Sequence, residues 1–82
     1  MKPANGSYNL TTLPQPGIPP TTVRYTITDE GIATTFGLLE WVADPPPGMF
    51  VKGDIAIRFL DDETFIAING PVLQYGGTYS PA

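Results

Sequence analysis

The chain has no cysteine and no histidine among its 82 residues. The first absence excludes disulfide staples and zinc-thiolate sites; the second removes the commonest metal ligand and the usual general base. Cations are scarce: Lys2, Arg24, Lys52 and Arg58 stand scattered against eight acids, for a net charge of −4. That balance disfavours a nucleic acid or an anionic membrane as partner. No apolar run approaches the roughly 18 residues that span a bilayer. The residues after Lys2 lack the apolar stretch of a signal peptide, so we expect a soluble chain not exported by that route. Asn5-Gly6-Ser7 and Asn9-Leu10-Thr11 match the glycosylation pattern, which without a secretion signal carries no weight. Serine occurs only as Ser7 and Ser80, so nucleophilic catalysis lacks its parts. We expect no enzymatic activity, no cofactor and no metal.

Proline and glycine, by contrast, are plentiful, ten and nine residues respectively. Five of the prolines fall between Pro3 and Pro20, where the apolar residues are few: Tyr8, Leu10, Leu13 and Ile18. The stretch Leu13-Pro14-Gln15-Pro16-Gly17-Ile18-Pro19-Pro20 favours extended or polyproline II geometry, because proline fixes its own φ and biases its predecessor away from helix. Residues 1–22 therefore predict an extended, proline-rich N-terminal arm, and residues 23–82 a small β domain with a short C-terminal tail. A body of about 60 residues lies near the lower limit of independent stability. Without disulfides or a metal, self-association or docking onto something larger is the remaining support.

The body alternates apolar and polar residues. In Thr22 to Thr28, Val23, Tyr25 and Ile27 share one face, the pattern of a half-buried strand, and Asp29-Glu30-Gly31 gives a turn. Ile32 to Ala43 fits both a helical stripe and a strand face. Its β-branched and aromatic residues, with Gly37 in mid-segment, favour a strand bent at that glycine. Asp44-Pro45-Pro46-Pro47-Gly48 is a rigid loop. Met49 to Leu60 and Thr64 to Asn69 read as two strands turning at Asp61-Asp62-Glu63, with Gly53 marking a bulge. Both faces of this hairpin are apolar enough to want cover. Asn69-Gly70-Pro71 makes another turn, Val72 to Tyr75 a short last strand, and Gly76-Gly77 releases a tail. Five or six short strands with turn punctuation predict an all-β fold, a small antiparallel barrel or sandwich.

No constellation of polar residues carries chemistry. Asp61-Asp62-Glu63 lacks the spaced ligands and central glycine of a calcium loop and reads as a solvated turn. Eight acids place some pair of carboxylates near one another by chance, but so small a body leaves little room for a glycosidase cleft. Rings are the notable surplus: Tyr25, Phe36, Trp41, Phe50, Phe59, Phe65 and Tyr75. Most serve a core. A carbohydrate-binding module would instead expose coplanar rings, for which Trp41 with Tyr75 or Tyr79 are candidates. Tyr8 and Tyr79, in the two tails, are the expected exposed rings, so Tyr8, Leu10, Leu13, Ile18 and Tyr79 form the candidate partner-binding set.

An acidic, cysteine-free chain with a proline- and threonine-rich arm before a compact β body resembles, in organisation, the decoration or cement proteins of tailed bacteriophage heads. The resemblance implies a homotrimer on the capsid exterior, made in the host cytoplasm. It further implies an arm that adds a strand to the major capsid protein or another virion subunit. Other readings stay open: a tail or fibre adaptor using the same arm, a carbohydrate-binding module, or an intracellular SH3-like regulatory subunit docking through Leu10 to Ile18.

Overall fold

The computed structural model describes residues 2–14, 16–17, 19–70 and 73–82, the side chains of residues 73 and 74 excepted. Eight strands follow one another: β1 (Gly6–Thr12), β2 (Thr22–Thr28), β3 (Gly31–Thr34), β4 (Gly37–Val42), β5 (Met49–Lys52), β6 (Ile55–Phe59), β7 (Thr64–Asn69) and β8 (Leu73–Pro81). Each pairs antiparallel with the next, and β8 returns to β1, so the sheet closes into an up-and-down barrel. The fold is all-β, as the alternation predicts, but with eight strands where five or six were expected. Closure removes both sheet edges.

One additional strand, β1, comes from the segment assigned to the arm and another from the division of Ile32 to Ala43, while the expected last strand runs on into the segment assigned to the tail. Gly6–Thr12, expected within an extended arm, is instead a barrel strand: β1 lies between β2 and β8, with Tyr8 opposite Tyr25 and Pro81, and Leu10 opposite Val23 and Tyr79. Proline content misleads here because the prolines flank the strand. Pro3 precedes it and Pro14, Pro16, Pro19 and Pro20 follow it, leaving Ser7-Tyr8-Asn9-Leu10-Thr11-Thr12 with the period-two alternation of a strand. The proline-rich stretch is the loop between β1 and β2, pinned at its base by Thr12 N–H donating to the Thr21 carbonyl and Thr21 N–H donating to the Thr12 hydroxyl, both 2.9 Å.

At the other end, Gly76-Gly77 does not release a tail but lies within β8, which pairs with β7 from Leu73 to Thr78 and with β1 from Gly77 to Pro81. A Cβ at Gly77 would run into the Thr11 carbonyl and lie 2.8 Å from the Phe65 ring. The glycine allows backbones to approach where the barrel closes.

The segment Ile32 to Ala43 is two strands. Thr35-Phe36 turns the chain between β3 and β4, and the Thr34 hydroxyl fixes the turn by accepting from Phe36 N–H (3.0 Å) and donating to the Gly37 carbonyl (2.9 Å). Gly53 is no bulge. With φ 58 it is the first residue of the two-residue Gly53-Asp54 turn that pairs Lys52 with Ile55, the position a type II′ hairpin gives to glycine. The hairpin at Asp61 to Glu63 forms where expected: Leu60 N–H donates to the Thr64 carbonyl, Glu63 takes φ 66, and the Asp62 carboxylate accepts from the Thr64 amide and hydroxyl. The same hydroxyl holds the Asp62 carboxyl below its usual value.

The interior is divided along the barrel axis. At the end carrying the β2–β3, β4–β5 and β6–β7 connections, edge-to-face rings run across the section: Tyr8 to Tyr79 (6.1 Å between centroids), Tyr79 to Phe59 (4.7 Å), Phe59 to Phe50 (5.9 Å) and Phe50 to Trp41 (5.0 Å). Ile27, Ile32 and Leu39 fill the remainder, all fully buried. Such pairs contribute about 0.5–1.5 kcal/mol each beyond their buried area. The opposite end, framed by the β1–β2 loop and the β3–β4 turn, is not filled.

Candidate functional site

The five residues singled out as partner contacts separate. Tyr8 and Tyr79 are 9% exposed and belong to the packed end. The Tyr8 hydroxyl donates to the Ala4 carbonyl (2.6 Å) and the Tyr79 hydroxyl to the Leu60 carbonyl (3.1 Å). Leu10, 1% exposed, faces the interior. These three are core residues because β1 and the end of β8 are barrel strands, so neither ring serves as an exposed anchor. Leu13 is exposed, at the rim of the unfilled end. Ile18 lies outside the described residues.

The unfilled end holds a cavity of about 370 Å³. Leu10, Ile57, Phe65 and Ala67 lie deepest, Val23, Tyr25 and Tyr75 form its walls, and Thr12, Leu13, Thr21, Thr35 and Phe36 surround its mouth. Ala67 sits between Ile57 and Tyr75 in the register, a methyl among larger side chains. The Tyr25 and Thr35 hydroxyls are 3.2 Å apart, linking β2 to the β3–β4 turn. Sequence patterning could mark Val23, Tyr25, Ile57 and Ala67 as inward-facing. It could not show that they share a void, which depends on the stagger of all eight strands.

The outside of the barrel is also two-sided. Over β1 and β2 it is polar, and hydroxyls pair across the strands: Ser7 with Thr26 at 2.9 Å and Thr11 with Thr22 at 2.8 Å. Over β4 to β7 it is apolar. One cross-strand row runs Glu40, Val51, Ala56 and Ile68; beside it lie Val42 paired with Met49 and Arg58 paired with Ile66. Met49, Ala56, Arg58, Ile66 and Ile68 line a shallow recess, and Val42 and Ile68 are 41% and 38% exposed. The apolar second face of the 55–68 hairpin thus lies on the surface. The rings proposed for a sugar platform are placed otherwise, Trp41 half-buried against Phe50 and Tyr75 lining the cavity.

No family model, curated protein or solved structure matched the chain.

Burial raises the phenol of Tyr75 above its ordinary 10.0, reinforced by Tyr25; burial does the same for Tyr79, reinforced by Tyr8 and the acids of the β6–β7 turn. Both phenols hold their protons more tightly folded than unfolded. Their contribution to stability is complete below pH 10.0 and falls as pH rises through the folded values. Urea midpoints measured from about pH 8 to about pH 11 are therefore expected to hold level and then decline. Tyr79→Phe should flatten the decline; an equally steep one would refute the role assigned to that phenol.

Proposed function

We propose that this chain is a non-catalytic structural subunit that works by association, and that the outer face of β4 to β7 is its contact with further copies of itself. The observation that carries the reading is the asymmetry of the barrel exterior: threonine and serine hydroxyls over β1 and β2, aliphatic side chains over β4 to β7. Contiguous exposed apolar surface costs solubility unless it is covered. A second copy is a suitable cover because the face carries complementary charges of its own, Glu40 on β4 and Arg58 on β6. Around a closed ring, the β4 side of one copy meets the β6–β7 side of the next, bringing Glu40 towards the neighbour's Arg58.

A ring of three would agree with the resemblance to phage-head decoration proteins. The particle-level reading we propose is accordingly a virion subunit that attaches to the exterior of a capsid. With β1 built into the barrel, attachment would use the barrel surface or the exposed β1–β2 loop rather than a free arm.

Sedimentation of the full chain tests the association. The intact protein is expected to sediment as an oligomer, and Ile68→Asp as a monomer that still melts cooperatively, at a midpoint lowered by the loss of association, because this half-exposed outward side chain contributes little to the interior. A wild-type monomer at concentrations of about 100 µM, where an interface of even modest affinity is occupied, would overturn the proposal.

A further inference from the structure

An eight-stranded barrel either fills its interior with side chains or holds one small ligand. This one does the first over half its length and leaves room for the second over the other. We propose that the open end of the barrel is a binding site for a small uncharged organic molecule with a ring system and a single hydrogen-bonding group.

Size, polarity and access all support this class. The cavity of about 370 Å³ lies at the small end of the range of about 300–1,000 Å³ typical of ligand sites. No charged side chain lines it among the described residues, so an ion entering it would shed hydration without gaining a partner. The Tyr25 and Thr35 hydroxyls, bonded to each other, retain capacity for at least one further bond each. Tyr25, Phe65 and Tyr75 bring three aromatic rings to the lining, and another ring packs favourably against such rings in offset-stacked or edge-to-face arrangements. Access is open: Leu13 and Phe36, at the mouth on the β1–β2 loop and the β3–β4 turn, are 56% and 48% exposed and offer apolar contact to a ring entering there. The site is separate from the outer face proposed for association, so each can fail without the other.

Titration of the full chain with N-phenyl-1-naphthylamine, an uncharged fluorescent probe, tests the site. The control is 1-anilinonaphthalene-8-sulfonate, which has nearly the same skeleton but carries a negative charge. The neutral probe is expected to bind one per chain, and the sulfonate at least about tenfold more weakly. Ala67→Phe, which fills the void, should weaken neutral-probe binding by at least about tenfold, whereas Ile68→Asp, on the outer face, should leave it unchanged. If Ala67→Phe does not fold, amide shifts of the wild-type protein decide: movement at Leu10, Thr35, Ala67 and Tyr75 supports the site. No binding, sulfonate binding as tight as the neutral probe, full binding by a folded Ala67→Phe, or shifts confined to the outer face would each overturn the proposal.

Discussion

A single methyl group at Gly77 is expected to unfold the barrel, while the same methyl at Gly76 should be tolerated. The neighbours at the two positions account for the difference. A Cβ at Gly77 would meet the Thr11 carbonyl oxygen well inside contact distance, with the Thr11 carbonyl carbon and the Phe65 ring each at 2.8 Å. Two of those obstacles are backbone of β1, held by ladders on both sides, and the third is a core ring with little room to turn. Relief would require opening the β1–β8 seam. We expect Gly77→Ala to cost about 4 kcal/mol or more, the range reached by overpacking and strained backbones. Total stability is about 5–15 kcal/mol for ordinary domains, and small ones lie low in that range. At Gly76 the nearest atom is the Phe65 carbonyl oxygen at 3.1 Å, a contact eased by a shift of a few tenths of an ångström. Its cost is expected to be at most about 1 kcal/mol, partly offset by replacing glycine within a strand. Circular dichroism and amide dispersion read both variants. A Gly77→Ala protein that melts cooperatively at the wild-type temperature would refute the account of closure.

The same glycine shows why some strands were legible in the sequence and others were not. Strand β2 and the β6–β7 hairpin were legible because Val23-Arg24-Tyr25-Thr26-Ile27 and Ile55 to Phe59 alternate over enough residues to define a face, and Asp61-Asp62-Glu63 is a strong turn signal. Gly76-Gly77 has the local chemistry of a break. Only the proximity of Thr11, distant in sequence, turns it into a seam. Gly37 and Gly53 misled in the same manner: glycine in a strand-like run signals bulge, bend and hairpin turn alike, and register decides among them. For the candidate site, the apolar outer face could be anticipated from the two-sided hairpin. The cavity could not, since it arises where Ala67, Ile57 and Tyr75 come level with Leu10 and Tyr25 from the other side of the barrel.

Removing residues 1–22 is expected to abolish folding. A free arm would permit that truncation, but a barrel strand does not. The truncated chain loses the ladders from β1 to both β2 and β8 and leaves two unpaired edges where there had been none. It also loses Leu10 and Tyr8 from the interior, each contributing about 1.5–3 kcal/mol through burial, and bares Tyr79 on the adjoining strand β8 and Phe65 on β7 beyond it. The summed loss matches or exceeds the stability of a small domain. The chain beginning at Val23 should therefore show collapsed amide dispersion and no cooperative melt. The full-length variant Leu10→Ala, at a side chain 1% exposed, should remain folded but lose about 2–5 kcal/mol. Adding a peptide of residues 2–12 to the truncated chain should restore the barrel in a concentration-dependent way, because the missing strand then completes the sheet as a ligand. A truncated chain that folds cooperatively by itself would show that β1 is dispensable. If it is not, truncation cannot test the capsid attachment proposed above, because it removes the fold itself, and that proposal is tested on the intact barrel, at Ile68 and Leu13.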